Sequence, residues 1–591
     1  VSGTHVPSTK SPNHQITKLY EVRRFSKTQI LTAAAILLLF PALLTHLGLI
    51  AFYDDEGIRS LVALEMKISG NYLTPTLFGE FYYNKPPLYN WILLLFFELT
   101  GRADEFSARL PTVIFLLAYA GSVYFFFNRL IHPNSPGDLK SPGEFSPPGS
   151  EGIFREKKFS IFSLFPVLAA FSLVTCGRIL FWDSMLALID TCFSWVMFCL
   201  FMLIYREGER ERFGRLFVLA YLLAAIGFLL KGLPALVFLG IALLTYFIWQ
   251  KKWRRLFSWA HLGGMAVFLA LVGGYYFLYA QKNGLEEVFK TLFSESAKRT
   301  FVEHGFGQTA LHLLTFPFEM WYHFLPWTLL TVYFFRKNAW RLVRENKFIT
   351  WNLLVFFTTI LPYWTSVEVY PRYLLMHVPL VFSAFFYLHF KNKEAGSKLT
   401  KAVEMTFFVL CLVATAASLL PPFWEAVQDV PFLKLKSAAL AVSLAFLSWL
   451  YWRWQAHRFL IFVLVLLVAR LGFDWFILPS RLKIECSTRV RETVLAAAEK
   501  LDGQPVHILE NSLGLQPATG FYFTRETGQL VRSKFNDFDT VGWYIIHPGT
   551  YHPYFYERSA TFVTKYRCQE MALGKLTDWF IQHRPKTNHQ E

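Results

Sequence analysis

Long apolar segments recur along most of this chain, separated by short polar loops. Each is close to the roughly 20 residues that an α-helix needs to cross the hydrocarbon layer of a membrane. The segments are too long for barrel strands, and backbone amides in lipid must be satisfied internally, so the pattern predicts helices. By the same length criterion we predict about thirteen spans, near residues 30–51, 106–127, 160–176, 184–205, 216–231, 233–249, 258–280, 321–335, 348–366, 373–390, 402–420, 435–451 and 459–478.

The pattern changes after residue 478, where the long apolar segments stop. Residues 481–591 are long enough for a core of their own and are predicted to form a small α/β domain outside the membrane. Nothing in this region points to catalysis, so we expect it to have a structural or docking role. The predicted helix is 488–501, and the predicted strands are 505–510, 528–533, 541–548 and 560–566.

The remaining chain divides by composition into a tail and a membrane body. Residues 1–29 are polar and without periodicity, which predicts a loose cytoplasmic tail. Residues 30–480 form the predicted transmembrane domain, with two long exported loops at 52–105 and 281–320. A stretch rich in proline, glycine and serine, 132–152, predicts a cytoplasmic linker.

Composition and charge place the chain in a membrane. Of its 591 residues, 54% are hydrophobic and 17% are charged, a balance too apolar for a soluble protein of this length. The formal net charge of +16 does not indicate a nucleic-acid partner, because the lysines and arginines crowd into alternate loops. Those loops are predicted to face the cytoplasm, which makes this a multi-pass protein of the inner (cytoplasmic) membrane whose C-terminal domain is exported. The first apolar segment lacks a small-residue cleavage site, so we expect it to remain as an anchor.

Six cysteines are few for a chain of this length. Cys486 and Cys568 lie in the exported region, where an oxidising compartment would permit a disulfide, and the sequence leaves open whether they are bridged. The other four lie in or beside predicted spans and are interpreted as small apolar packing residues: Cys176, Cys192, Cys199 and Cys411.

Acidic residues cluster where the chain leaves the first apolar segment. Asp54, Asp55 and Glu56 precede the stretch 57–68, whose apolar stripe predicts a helix along the membrane surface. One interpretation is that the acids only stabilise the positive end of this helix, by about 0.3 to 1 kcal/mol. A second acid, Asp183, lies at the next short exported turn. Two acidic sites at one membrane edge favour a chemical role, because charges there are costly unless they pair or act on a ligand.

Basic residues lie at the same predicted edge. Lys85 precedes two prolines that present its ammonium from a stiff turn, although a lysine that only reaches lipid headgroups would have the same pattern. Asp190, two helical turns after Asp183 and inside the predicted bilayer, must also find a partner. Further cations lie at or near exported edges, where basic residues are disfavoured, so each needs an anionic partner such as a lipid-linked phosphate: Arg178, Lys231, Arg299 and Arg372.

Carboxylates, cations and a lipid boundary together suit the transfer of a group from a polyprenyl-phosphate carrier. The departing phosphate needs charge stabilisation in a site poor in water. A hydroxyl acceptor needs a base within hydrogen-bond reach. The sequence therefore favours a transferase that takes its donor from the membrane.

These residues stand in motifs that resemble a known family. In order, the motifs read DDEGIRSLVALEM, YYNKPPLYNW, EFSARLP, RILFWDSML, LLKGLPAL, FLPW and YPRYLLMHVP. Between residues 50 and 380 the ordered series resembles the membrane glycosyltransferases that include the aminoarabinose transferases of lipid A and the protein O-mannosyltransferases. The number of predicted spans and the exported C-terminal domain are similar to the bacterial aminoarabinose-transferase branch.

The resemblance implies a GT-C fold and an inverting, metal-independent transfer of a sugar from undecaprenyl or dolichyl phosphate, with no cofactor required. The implied acceptor is a protein serine or threonine, lipid A or a cell-surface glycan. The resemblance also implies the site. Its catalytic positions are Asp55, Glu56 and Asp183, and its donor-phosphate positions are Lys85, Arg299, Arg372 and Tyr373.

Two other functions remain open at this point. A flippase or transporter of lipid-linked sugars would place ionisable residues through the depth of several helices, whereas here they gather at one face. A polymerase or ligase of lipid-linked glycans would use a diphosphate donor. The sequence does not specify the sugar, the acceptor or the oligomeric state.

Overall fold

A computed structural model describes residues 25–53, 55–131, 161–297, 301–484, 486–510, 512, 515–564 and 568–583. Asp54 and Arg299, two residues singled out above, lie outside these ranges. So do the predicted linker and most of the predicted N-terminal tail.

Helices account for most of the described chain. Among the described residues, eight helices are long and apolar enough to cross a membrane, or nine spans if the bent pair Phe165–Thr175 and Gly177–Met185 counts as one. This confirms the helical polytopic fold class but not the number thirteen. The α-helices are α1 Lys27–Leu44, α2 Asp55–Ser69, α3 Leu88–Thr100, α4 Glu105–Leu130, α5 Phe165–Thr175, α6 Gly177–Phe181, α7 Ile189–Glu209, α8 Phe213–Lys231, α9 Pro234–Trp249, α10 Trp259–Ala280, α11 Glu286–Ala297, α12 Phe301–His323, α13 Ala339–Arg344, α14 Lys347–Thr359, α15 Leu361–Trp364, α16 Val378–Glu394, α17 Lys398–Ala417, α18 Leu433–Arg453, α19 Arg458–Gly472, α20 Leu478–Ile484, α21 Cys486–Ala498, α22 Pro517–Thr527 and α23 Asp578–His583.

Three predicted spans are interrupted rather than continuous. The segment predicted at 321–335 contains the end of α12 and a 3₁₀ helix, Trp327–Phe335, which follows Pro326. In the span predicted at 348–366 a break separates α14 from α15, which has Pro362 in its first turn, and in the span predicted at 373–390 helix α16 begins only at Val378, with Pro379 in its first turn. Because proline lacks an amide hydrogen and crowds the preceding turn, each of these prolines interrupts an apolar run that hydropathy alone reads as one helix.

The loop at 52–105, which the sequence predicts to be exported, is more ordered than its composition suggests. After α2 it forms a two-stranded hairpin, β1 (Thr76–Leu77) and β2 (Glu80–Phe81), and then the apolar helix α3. Buried Glu65 of α2 holds the hairpin, accepting hydrogen bonds from the Thr76 hydroxyl at 2.6 Å and from the amides of Phe78 at 2.7 Å and Gly79 at 3.2 Å. Burial raises the pKa of this carboxyl. The hairpin in turn fixes the start of the segment that carries Lys85.

The C-terminal region is an α/β domain, as predicted. Its five-stranded sheet has the order β4-β3-β5-β7-β6, in which β3 is parallel to β4 and β5, and β7 is antiparallel to β5 and β6. Four strands match the predicted ones, whereas β7 and helix α22 were not predicted. Cys486 and Cys568 form a disulfide. The strands are β3 Val506–Leu509, β4 Arg532–Lys534, β5 Trp543–Ile546, β6 Tyr556–Val563 and β7 Glu570–Leu576.

Helix α22 of this domain packs against helix α2, on the side that carries Gly57. A Cβ atom added to Gly57 would lie 2.8 Å from the backbone nitrogen of Ala518, so the two helices approach each other closely only because residue 57 is glycine. The Tyr522 hydroxyl donates to Glu105 at 2.8 Å and accepts from the Phe52 amide at 3.2 Å. The domain therefore braces the helix that begins with Asp55.

Candidate active site

Asp55 lies at the start of α2, where its carboxylate forms an ion pair with Arg372. Asp55 Oδ2 is 3.2 Å from Arg372 Nη2, and the carboxylate side chain is 41% exposed while the guanidinium is 5% exposed. Arg372 belongs to the 3₁₀ turn Pro371–Leu374, which immediately precedes α16. Two of the predicted site residues, 317 positions apart in sequence, are thus in direct contact.

Arg372 also extends this contact toward a buried carboxylate. Its Nε lies 3.4 Å from Asp190 Oδ2, and Asp190 Oδ1 accepts a hydrogen bond from Lys231 Nζ. The Lys231 ammonium stands over the ring of Tyr373, 3.8 Å from the ring centroid. All four side chains are buried. Asp190 therefore has the partners that a carboxylate in a membrane requires, and it is shared by two cations.

A cavity of about 410 Å³ opens beside this network. Lys85, Lys231 and Tyr373 line its polar side, together with Glu368, while an apolar wall includes Leu292 of α11. Lys85 also interacts electrostatically with Asp190. The structure thus brings Lys85 and Tyr373 to one cavity, and the ion pairs above connect that cavity to Asp55 and Arg372.

Asp183 lies beside this cluster and has its own cationic partner. Its Oδ1 is 3.0 Å from Arg178 Nε, and the carboxylate is almost fully buried. Arg178, for which the sequence required an anionic partner, therefore finds one five residues along the chain. Asp183 also interacts electrostatically with Asp190 and Arg372, so it belongs to the same charged group.

Glu56 points away from its neighbour Asp55 and into the protein framework. It is fully buried and accepts hydrogen bonds from Arg109 Nε at 3.0 Å and Nη2 at 2.6 Å. It also accepts from the amides of Tyr53 at 2.6 Å and Ala187 at 2.9 Å. With both carboxylate oxygens engaged, Glu56 is best placed to position the segments on either side of the site, and its catalytic role remains a prediction.

Arg59 was not singled out from the sequence, yet the structure places it at the site. It is buried on α2, donates to the Tyr82 hydroxyl at 2.6 Å, and interacts electrostatically with Asp55 and Asp190. Burial alone would lower the pKa of this guanidinium, but the nearby Tyr82 and carboxylates outweigh it and raise the pKa. Its signal in the sequence was a basic residue within the apolar stripe of α2.

A buried pair in the last apolar segment also supports the site. Arg470 Nε donates to Asp474 Oδ1 at 2.8 Å, and both side chains are almost completely buried. Arg470 Nη1 donates to the Leu180 carbonyl at the end of the short helix that carries Arg178. Two opposite charges four residues apart in an apolar run were the available signal, because charges in that setting seldom lack a role.

Within the ranges described above, no group of three or more histidine, cysteine, aspartate or glutamate side chains is arranged to hold a metal ion. The contacts described above are ionic and hydrogen-bonding. Cations are positioned to hold an anion, and a half-exposed carboxylate lies next to them.

The membrane-length helices and the charged cavity among them define a polytopic membrane protein. Over 93% of its length the chain superposes on ArnT from Cupriavidus metallidurans solved with undecaprenyl phosphate, with a TM-score of 0.62, 16% identity and 98% of that chain covered. The same protein in its apo state gives a TM-score of 0.59 at 16% identity, covering 92% of this chain and 97% of that one. At this identity the likeness establishes the fold.

Curated relatives are similar over part of the chain. Over 253 residues it is 26% identical to the undecaprenyl phosphate-alpha-4-amino-4-deoxy-L-arabinose arabinosyl transferase of Pseudomonas aeruginosa strain UCBPP-PA14, a match of 42% of this chain. The Pseudomonas paraeruginosa protein of the same name matches to the same extent. The chain spans 39% of the length of these relatives. No family model matches the chain.

Proposed function

We propose that this protein is a glycosyltransferase that moves a sugar, with inversion, from a polyprenyl-phosphate carrier to an acceptor on the exported side of the inner membrane. The observation that carries this proposal is the cavity that Lys85, Lys231 and Tyr373 line, connected through Arg372 to the half-exposed carboxylate of Asp55. The fold shared with a protein solved bound to undecaprenyl phosphate supports it.

In this proposal the cations hold the phosphate of the donor. Lys231 and Arg372 share the carboxylate of Asp190, and Arg372 also pairs with Asp55. Lys85 lines the same cavity and brings a further positive charge to it. The apolar wall beside them would allow a lipid carrier to enter from the membrane. Arg299, which lies outside the described residues, is proposed to assist them. As the sugar leaves, these groups stabilise the charge that develops on the phosphate.

Asp55 is proposed to orient the acceptor and, where the acceptor is a hydroxyl, to remove its proton. Its ion pair with Arg372 fixes the carboxylate, and its exposure leaves one side accessible to an incoming group. An acceptor that is itself a phosphate would need no base, and Asp55 would then only position it. Asp183 and Glu56 are proposed to support the site through Arg178 and Arg109, respectively.

Transfer by purified variants tests this proposal. Full-length protein would be incubated with labelled polyprenyl-phosphate sugars, both pentose and hexose, while released polyprenyl phosphate and the mass of the product are measured. Asp55→Asn should reduce turnover by about 10²- to 10⁴-fold, as for a lost general base. Lys85→Ala should cost about 10²- to 10³-fold, as for one well-placed charge-stabilising group.

Lys67→Ala provides the matched control, because Lys67 is an exposed lysine of α2 that pairs with Glu98 away from the cavity. It should retain wild-type turnover. Unchanged turnover in both site variants would show that the assignment is wrong. Movement of the donor across the membrane without release of polyprenyl phosphate would identify a flippase, and turnover only with a lipid diphosphate donor would identify a polymerase or ligase.

A further inference from the structure

A second polar cavity lies at the opposite end of the membrane body from the candidate site. Helix α16 starts at Val378, just after the turn that carries Arg372, and runs for 17 residues to Glu394, a length of about 25 Å at 1.5 Å per residue. At that far end a cavity of about 460 Å³, here called the inner cavity, is lined by Lys393, Ser397, Lys401 and Glu404, among others. Its volume falls within the roughly 300–1,000 Å³ typical of ligand sites.

The inner cavity carries fixed positive charge. Buried Glu404 accepts from Lys393 Nζ at 2.5 Å and forms an ion pair with Arg458 through its other oxygen. Lys393 also donates to the Gln455 carbonyl at 3.0 Å. Two cations are thus held in place by one carboxylate, and exposed Lys401 adds a third positive charge to the lining. The cavity therefore favours an anion.

The first turn of α17 adds hydrogen-bond donors to the same cavity. Gly396 and Ser397, which precede this 20-residue helix, both line the cavity. The Ser397 side chain does not cap the helix, because its oxygen accepts instead from Arg336 Nη1 at 2.7 Å. Gly396 has a φ of +65° and nothing within 4 Å of the position where a Cβ would lie, so the backbone there is open. An uncapped helix N-terminus beside cations suits a phosphate.

Part of the cavity lining is an apolar rim formed by Met405, Phe408 and Trp452. Met405 and Trp452 are exposed. The Trp452 side chain is 54% exposed, and its ring packs against Phe408 with centroids 5.2 Å apart. Tryptophan is enriched at membrane–water interfaces. A small soluble anion would make no favourable contact with such an apolar rim, whereas the first carbons of lipid acyl chains would pack against it.

We propose that the inner cavity binds the phosphate headgroup of an anionic phospholipid from the membrane leaflet opposite the candidate active site. Lys393, Lys401 and Arg458 face the phosphate, the first turn of α17 donates hydrogen bonds to it, and the acyl chains lie along Met405 and Trp452. Basic cavities between membrane helices recognise lipid headgroups in this way. The inference does not depend on the proposed glycosyl transfer.

Native mass spectrometry of the full chain tests the inference. Protein released from phosphatidylcholine nanodiscs with and without phosphatidylglycerol would be scored for each bound lipid. Wild-type protein should retain phosphatidylglycerol in preference to phosphatidylcholine. Lys401→Glu should weaken phosphatidylglycerol binding by about tenfold or more, because it removes the attraction of one basic residue for the anionic lipid and adds the repulsion of an acidic one. Lys401→Gln should weaken it less, by about fivefold.

Lys398→Glu is the matched control, because Lys398 is an exposed lysine in the same first turn of α17 but does not line the cavity. It should bind phosphatidylglycerol as the wild type does, and thermal unfolding in phosphatidylcholine alone should be the same for all variants. Equal binding of the two lipids by the wild type, or an equal loss in the Lys401 and Lys398 variants, would overturn the inference. The inference would also be overturned if inorganic phosphate raised the unfolding temperature while phosphatidylglycerol did not bind, because the cavity would then be a site for a soluble anion.

Discussion

Replacing Glu56 by glutamine should mainly lower the stability of the folded protein, with a smaller effect on the rate of sugar transfer. The Glu56 and Arg109 side chains are 0% and 2% exposed, and their closest atoms are 2.6 Å apart. Removing one partner of such a buried pair leaves an uncompensated charge and costs about 3 to 5 kcal/mol. Arg109 also donates to the carbonyls of Leu47 and Ile50 at 2.9 and 2.8 Å, so the loss would loosen the connection between α1 and α2.

Thermal unfolding in detergent, followed by intrinsic tryptophan fluorescence, is a suitable assay because it needs no substrate. Glu98→Gln is the matched control. Glu98 of α3 forms an ion pair at 2.8 Å with Lys67, which lies in α2 as Glu56 does, but the Glu98 and Lys67 side chains are 57% and 44% exposed. An exposed pair contributes only about 0 to 1 kcal/mol. Glu56→Gln should therefore unfold at a clearly lower temperature than either the wild type or Glu98→Gln.

The opposite pattern would refute this reasoning. If Glu56→Gln unfolded at the wild-type temperature yet lost transfer activity as completely as Asp55→Asn, Glu56 would be a catalytic group. That result would favour the role that the sequence motif predicts over the role that its hydrogen bonds indicate.

Two further predictions concern the C-terminal domain. The disulfide between Cys486 and Cys568 closes a loop of 82 residues, so its removal should lower the free energy of unfolding by about 4.5 kcal/mol according to the chain-entropy relation. A reductant should therefore lower the unfolding temperature of the wild type but not that of the variant in which both cysteines are serine. An equal effect on both proteins would contradict the prediction. Asp539 accepts hydrogen bonds from Lys534 at 2.8 Å and from two loop amides, and these lower its pKa to about 2. Because the unfolded value is about 3.9, its contribution to stability is present above pH 4 and lost as the pH falls toward 2. The difference in unfolding temperature between the wild type and Asp539→Asn should therefore shrink between pH 5 and pH 2.5, and a constant difference would argue against this.

Much of the fold follows from residue pattern alone, because lipid restricts what an apolar segment can do. Helices α4 and α8 begin and end within about three residues of the predicted spans 106–127 and 216–231. Helix α7 begins about five residues after the predicted start of 184–205 and ends about four residues beyond its predicted end. Hydropathy could not reveal the interruptions at Pro326, Pro362 and Pro379, since it averages over the residues around a proline. Helix α3 was missed because, at 13 residues, it is too short for the length criterion.

The contacts of the candidate site could be predicted less completely than the fold, for a different physical reason. The motifs directed attention to Asp55, Asp183 and Lys85, each of which is a charge next to an apolar run. They gave no indication that Asp55 would pair with Arg372, because the two residues lie 317 positions apart and meet only through the packing of distant helices. The same applies to Glu56 and Arg109, 53 positions apart. A single sequence shows which charges are unusual but not which of them neutralise one another.

The sharing of Asp190 gives a physical reason why the proposed site for a lipid phosphate would be stable without a bound anion. Three uncompensated cations at a membrane edge would each carry a desolvation cost of several kcal/mol, whereas Asp190 neutralises part of the charge on both Lys231 and Arg372. Asp55 offsets part of the charge on Arg372 as well, and Lys85 in the same cavity lining supplies further attraction for an anion. In the proposed reaction, an arriving phosphate would complete this balance, and the charge that develops on the phosphate as the sugar departs would meet groups already in position. Since these groups need little reorganisation at that moment, more of their attraction is available to the transition state.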